Sequence, residues 1–192
     1  MSHIATSEDQ DAGKLFTDQL VLRSVESRDA PQIALHLSEW DVVKQTSTVP
    51  FPYDERSALT WIARVGRRHK AGREYAFAIT RRDDDELVGA VAMAISSEDD
   101  GQIGEIGFWL GMPHWGQGYA REAVQALTAF GIEGLNLKRI DAVLFRDNKN
   151  SKRVLEKCGY RKDRAEVRDF PDRGGRRKVL LYSISKSEKR SK

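Results

Sequence analysis

The sequence predicts an α+β domain, a mixed and twisted sheet of about seven strands with about four helices packed on it. Three observations carry this. Short apolar segments joined by polar turns read as antiparallel hairpins, at 75–95 across Arg82-Asp83-Asp84-Asp85 and at 160–184 across Asp172-Arg173-Gly174-Gly175. One strand, glycine loop, helix and strand unit over residues 104–145 places two strands in parallel. That unit does not recur, which separates the chain from doubly wound nucleotide-binding folds.

In chain order, Leu20-Val21-Leu22-Arg23 is the first strand. Asp29 is placed to cap a helix with Pro31 in its first turn and Ala30, Ile33, Ala34 and Leu37 on its inner stripe. Residues 40–53 are less regular, because Pro50 and Pro52 forbid a continuous helix. Asp54 caps the next helix, with Ala58, Leu59, Ile62 and Val65 on its apolar face. Arg64, Arg67, Arg68 and Lys70 gather toward its end, where cations complement the helix dipole. No aromatic residues interleave them, so they read as a solvated face rather than a nucleic-acid patch. Tyr75, Phe77 and Ile79 alternate in a strand that pairs with strand 87–95, and 96–102 turns the chain again.

The rest is organised around residues 104–131. A strand closed by Gly111 and Pro113 leads through Trp115-Gly116-Gln117-Gly118-Tyr119-Ala120 into a helix with Ala120, Ala123, Val124, Leu127 and Gly131 on its buried stripe. Glycines before a helix start let backbone approach a ligand, and the first turn offers N–H groups and a positive dipole end to an anion. No Gly-x-x-x-x-Gly-Lys-Ser/Thr occurs, which excludes a Walker loop. A dinucleotide fingerprint fits Gly116, Gly118 and Asp141, but Arg121 stands where its third glycine is needed. Gly134 and Asn136 end the helix, and 139–145 is the next strand. Asn148 or Asn150 then caps a helix with Ser151, Val154, Leu155 and Cys158 on one face and Gly159 at its C-terminal end. Strands 160–170 and 178–184 finish the fold.

The 192 residues fit one domain over 15–185, with a disordered head at 1–14 and a disordered tail at 186–192. The composition, 40% hydrophobic and 32% charged, is that of a soluble globular protein. The longest apolar run, 90–95, is too short to span a bilayer, and the polar first residues show no signal peptide. A single cysteine, Cys158, forbids an intramolecular disulfide and fits the cytoplasm; it reads as packing rather than as a nucleophile. A net charge of +3 permits an anionic ligand without arguing for nucleic acid. His3, His36, His69 and His114 show no metal-ligand spacing, and His114 is placed to line an entrance loop.

The element order, together with Gly104-Glu105-Ile106-Gly107-Phe108-Trp109-Leu110, the segment 114–123 and Asn148-Lys149-Asn150-Ser151 leading to Gly159-Tyr160, resembles the GNAT acyl-CoA N-acetyltransferases. Within them it is most similar to the RimJ/RimL-like branch that acetylates ribosomal-protein N-termini, over residues 20–184. The resemblance implies a sheet splayed between the fourth and fifth strands, with acetyl-CoA in the V. It puts the CoA diphosphate on the backbone of Trp115, Gly116, Gln117, Gly118, Tyr119 and Ala120, and the pantetheine along Trp109 and Leu110 like an added strand. Asn148 and Ser151 occupy positions that reach the CoA arm. No metal is implied. A homodimer is allowed, although no interface is legible.

Acetyl transfer needs a neutral amine. A lysine-type amine, at a reference pKa of about 10.4, is mostly protonated near neutrality; an α-amine, at about 7.7–8.0, is much less so. Glu105, in period with Gly107 and Trp109, is the candidate base, and the N–H of Leu110 the candidate donor to the developing oxyanion. The tyrosine that in many members protonates the leaving thiolate is Leu155 here, which leaves Ser151 or water. Trp115 replaces the usual Arg or Gln, weakening a side-chain contact but not the backbone cradle. Trp40, Phe51, Tyr53 and Trp61 read as core or cleft-wall residues, and the acceptor pocket is expected beside residues 40–53. The leading acceptor is a protein N-terminal α-amine. The alternatives are a small-molecule or aminoglycoside-type amine, a non-catalytic CoA-binding module and, from another class, a dinucleotide-dependent oxidoreductase.

Overall fold

A computed structural model describes residues 13–98 and 101–186. The expected head at 1–14 lies outside these apart from Gly13 and Lys14. The expected tail at 186–192 does so apart from Lys186, whose Nζ donates to Asn136 Oδ1 at 2.6 Å. The elements are β1 (Leu15–Phe16), β2 (Leu20–Ser24), α1 (Ala30–Leu37), α2 (Trp40–Val43), α3 (Glu55–Lys70), β3 (Glu74–Arg81), β4 (Leu87–Glu98), β5 (Gly101–Leu110), α4 (Tyr119–Ala129), β6 (Arg139–Phe145), α5 (Lys149–Lys157), β7 (Arg161–Phe170) and β8 (Gly175–Ser185). No helix among the described residues is long and apolar enough to cross a membrane.

The strands form one sheet in the order β1-β2-β3-β4-β5-β6-β8-β7. Every neighbouring pair is antiparallel except β5–β6, which α4 joins by a crossover. Alternation along the strands splits the apolar residues between two layers. On one face Phe77, Ile79, Val91 and Met93 pack with Ala123, Val124 and Leu127 of α4. On the other, Ala78 and Leu87 pack with Ile33 and Leu37 of α1 and Ala58 and Ile62 of α3. Leu59, placed on the apolar face of α3 by its spacing, instead stands 41% exposed, because α1 and the sheet cover a narrower stripe.

The architecture matches the expected α+β sheet, with four local differences. The extra strand is the two-residue β1, too short for alternation to reveal. The extra helix is the single turn α2, inside the segment expected to be irregular. Most of 96–102, expected to turn, is paired ladder, since Ser96 faces Ile103 and Ser97 faces Gln102. Asp29 does not cap α1 with its side chain. Its carboxylate turns back to accept from Glu26 N at 2.8 Å and pairs with both terminal nitrogens of Arg23 at 2.8 Å. Two charge-assisted bonds to a guanidinium outweigh one N–H at the helix start, and both partners are buried.

The Arg23–Asp29 pair ties β2 to the start of α1. Burial pushes the Asp29 carboxyl up, but the bonds from Arg23 and from the Glu26 N–H more than reverse this and hold it below its ordinary value. A folded pKa below the unfolded one gives stability that is fully present above about pH 4 and is lost as pH falls through the folded value. Asp29→Ala leaves buried Arg23 with only the more exposed Asp85 carboxylate, 3.5 Å from its Nε, and is expected to cost about 3–5 kcal/mol in urea unfolding at pH 7; a loss below about 1 kcal/mol would show that water or Asp85 replaces the pair.

Candidate active site

The sheet opens at Glu105. As far as that residue β5 is the parallel partner of β6, through Ile103–Arg139, Gly104–Ile140 and Glu105–Asp141. Beyond it β5 continues on β4 alone to Leu110, and β6 continues on β8 alone to Phe145. Ladder parity then fixes which backbone groups face the gap. Gly111 N–H donates to Val88 O at 2.9 Å on the β4 side, and Gln102 O accepts from Lys138 N at 3.1 Å on the β6 side. The β4–β5 register has no slip, so the N–H groups of Ile106, Phe108 and Leu110 turn into the gap.

Glu105, Gly107 and Trp109 share one face of β5 and line a cleft of about 790 Å³. Ser57, Trp61 and Arg64 of α3, residues 45–50, and Asn148 with Ser151 line its other sides. Glu105 is exposed to the cleft, whereas Leu155, which also lines it, is buried. Asn148 caps α5: its Oδ1 accepts from Ser151 N at 3.0 Å, and its Nδ2 donates to Gln45 O at 3.3 Å. Glu74, buried at the cleft wall, accepts from Arg64 Nη1 at 2.9 Å and Arg68 Nε at 2.6 Å. The cations expected as a solvated face are thus partly committed to holding one buried carboxylate.

The glycine loop lies past the end of β5. Gly111 is needed there because a Cβ would stand 2.2 Å from His36 Nδ1. Trp115 Nε1 donates to Leu110 O at 2.8 Å and Gln117 Nε2 to Pro113 O at 2.9 Å, which folds the loop on itself. Gly116 and Gly118 have φ of 79° and 90°, a region that side chains disfavour. The first bond of α4 is Glu122 N to Gly118 O at 3.1 Å, and no side chain caps its N-terminus. The N–H groups of Tyr119, Ala120 and Arg121 therefore lack intrahelical partners, at the positive end of the helix dipole. Glu122 fixes this turn by accepting from Gln19 N at 2.7 Å, Gln19 Nε2 at 3.0 Å and Thr17 Oγ1.

Glu105, Trp109, Asn148 and Ser151 therefore meet on one cleft, while Trp115 to Ala120 lie beyond its end, reached along the gap-facing edge of β5. One detail adds to the sequence reading and another differs from it. Leu110 faces the gap with its N–H, but its carbonyl is taken by the Trp115 indole. His114 does not line an entrance; it is buried beneath the loop, edge-on to His36 at 5.4 Å. Burial, with a smaller contribution from His36, lowers its pKa against the opposing pull of Glu86. The Cys158 thiol, 3.5 Å from Arg121 O, is pushed up to about 11 by burial, as suits packing rather than attack.

Of the four aromatic residues expected in the core or a cleft wall, Trp61 lines the cleft, Trp40 and Phe51 stand 45% exposed, and the fourth is Tyr53. It is 7% exposed and lines the cleft, and burial pushes its phenol up to about 12, so it remains a hydrogen-bond donor at neutral pH.

The sequence pattern of the acetyltransferase (GNAT) domain matches residues 19–161. The chain is 33% identical to the "Uncharacterized N-acetyltransferase p20" of Bacillus licheniformis over 175 residues, covering 91% of this chain and 97% of that one. It is 27% identical to the [Ribosomal protein uS5]-alanine N-acetyltransferase of Escherichia coli over 160 residues, 78% and 79% of the two chains. Among solved structures, Mycobacterium smegmatis RimJ in complex with CoA-disulfide superposes with a TM-score of 0.79 at 22% identity, covering 93% of this chain and 88% of that one. The splayed sheet, the uncapped helix behind a two-glycine loop and this pattern over most of the chain agree: the protein is an acyltransferase that belongs to the GNAT acetyltransferase family.

Proposed function

We propose that this chain transfers the acetyl group of acetyl-CoA to a protein N-terminal α-amine, by direct attack within a ternary complex in the splayed cleft. The observation that carries the reading is the line of N–H groups at Ile106, Phe108 and Leu110 running toward the uncapped start of α4. That line suits a long ligand with amides along its arm and a diphosphate at one end. The cosubstrate supplies an activated thioester. Trp115, Gly116, Gln117, Gly118, Tyr119 and Ala120 would hold the diphosphate through backbone, and Trp109, Leu110, Asn148 and Ser151 the arm. The similarity to the RimJ structure with CoA-disulfide supports this assignment through the shared fold.

Glu105 accepts a proton from the attacking amine, directly or through water. It is exposed on the cleft wall and lies on the same face of β5 as Trp109. The Leu110 N–H is oriented to donate to the carbonyl oxygen as charge develops there. Ser151 on the cleft wall, or a water, gives a proton to the thiolate, since Leu155 has none to give. An α-amine asks less of Glu105 than a lysine does, its reference pKa being about 7.7–8.0 against about 10.4. The uS5-alanine N-acetyltransferase among the relatives supports that acceptor class. A second reading, a small-molecule or aminoglycoside-type amine, is favoured by the cleft volume of about 790 Å³, which lies in the usual range for small-ligand pockets.

Free-thiol release from acetyl-CoA with N-terminal peptides and with small amines decides between these readings. Turnover with peptides carries the proposal, turnover confined to small amines selects the second reading, and tight acetyl-CoA binding without turnover would make the chain a non-catalytic module. Glu105→Gln is expected to lower kcat about 100-fold while leaving the acetyl-CoA Kd within about twofold; an unchanged pH–rate profile would remove Glu105 from the reaction. Gly118→Val has open space within the protein but must adopt a left-handed backbone, which costs about 1–2 kcal/mol. It also crowds any ligand at the loop, so acetyl-CoA affinity in calorimetry is expected to fall at least about tenfold. Unchanged affinity in the folded variant would contradict the cradle.

A further inference from the structure

The turn between β7 and β8 sends a buried arginine out of its own hairpin. Arg173 is 8% exposed. Its Nε donates to Thr46 O at 3.2 Å, its Nη2 to Val49 O, and its Nη1 to Asp172 O at 2.9 Å. The guanidinium lies 5.7 Å from the ring of Trp40, which packs edge-on against Phe51 at 5.0 Å. Arg173 makes no ion pair among the described residues. A buried cation without a carboxylate is costly unless dipoles or an aromatic face replace its water. Here three carbonyls and an indole do so.

Two of those carbonyls, of Thr46 and Val49, belong to one wall of the cleft. Residues 45–50 all line that cleft, yet 47–50 make no backbone–backbone hydrogen bond among the described residues. Val49 packs back on α1 and α3, and Gln45 and Thr46 bond to Val42 O and Val43 O; the segment's polar anchors from across the opening are Arg173 of the β7–β8 turn and Asn148 Nδ2, which reaches Gln45 O from the cap of α5. Its two ends belong to the opposite half of the molecule, where Val43 and Tyr53 pack with α1 and α3.

We propose that Arg173 is a positioning residue that holds segment 45–50 across the cleft in the shape that selects the acceptor. This rests on the reading of the cleft as the acceptor's site. A planar guanidinium fork reaches two carbonyls three residues apart, which a lysine ammonium cannot do in the same geometry. Loss of the fork would free the wall without touching the diphosphate loop, which lies at the far end of β5.

The test is hydrogen exchange of peptides spanning 44–53, in the wild type, Arg173→Met and Arg173→Lys, alongside acetyl-CoA calorimetry and amine kinetics. Exchange at Gln45 and Thr46, whose N–H groups bond Val42 O and Val43 O, is expected to quicken at least about tenfold in Arg173→Met, with β4, β5 and α4 unchanged. Arg173→Lys should fall between Arg173→Met and the wild type, and it carries the same comparison if Arg173→Met fails to fold. Acetyl-CoA affinity should stay within about twofold, while KM for an amine accepted by the wild type rises about tenfold at nearly constant kcat. Equal exchange at Gln45 and Thr46 in wild type and variants, or a fall in kcat with KM unchanged, would overturn the proposal. A wild type that acetylates no amine would count against the function read above, and exchange would still decide whether Arg173 holds the wall.

Discussion

The parallel ladder between β5 and β6 is three residue pairs long, and the site depends on its stopping there. Had pairing continued to Leu110, the N–H groups of Ile106, Phe108 and Leu110 would be consumed by β6. Because it stops at Glu105, those groups face a gap, the side chains of Glu105 and Trp109 face a cleft, and the strand still delivers the chain to the loop before α4. A sheet edge inside a domain is ordinarily an aggregation liability. Here it is sheltered between the two halves of the sheet, where it is available to a ligand of strand-like shape.

An opened sheet needs braces. Two of them cross the cleft, from Asn148 to Gln45 O and from Arg173 to the carbonyls of Thr46 and Val49. A third, Glu122 with Thr17 and Gln19, fixes the first turn of α4 against the β1–β2 corner. A fourth, Arg23 with Asp29, sets α1 on β2. All four are directional bonds made by polar side chains, to backbone, to neutral side chains or to an opposite charge. They orient elements whose packing the apolar layers already support, which suits a site that must keep its spacing while two substrates enter.

The parts of the fold legible in the sequence are those with a short-range cause. Asp54 accepting from Ser57 N, Asn148 accepting from Ser151 N, and glycine at positive φ before α4 each show in a few adjacent residues. The same holds for the alternation at Phe77 and Ile79. What the sequence hid has a long-range cause. Asp29 looks like a cap until Arg23 is seen beside it. His114 looks like a loop residue until His36 is found beneath. Arg64 and Arg68 look solvated until Glu74 appears between them. Trp115 looks like a substitution in the ligand loop, yet its indole fastens that loop to Leu110. Arg173 gives no periodic signal, because its partners lie more than a hundred residues away.

The most direct measurement is a crystal structure of the protein with acetyl-CoA. The account predicts diphosphate oxygens within hydrogen-bond distance of the amides between Gly116 and Arg121, and the arm lying beside Ile106, Phe108 and Leu110 with the thioester near Glu105. Acetyl-CoA found elsewhere on the molecule, or β5 and β6 closed together along their length, would contradict it.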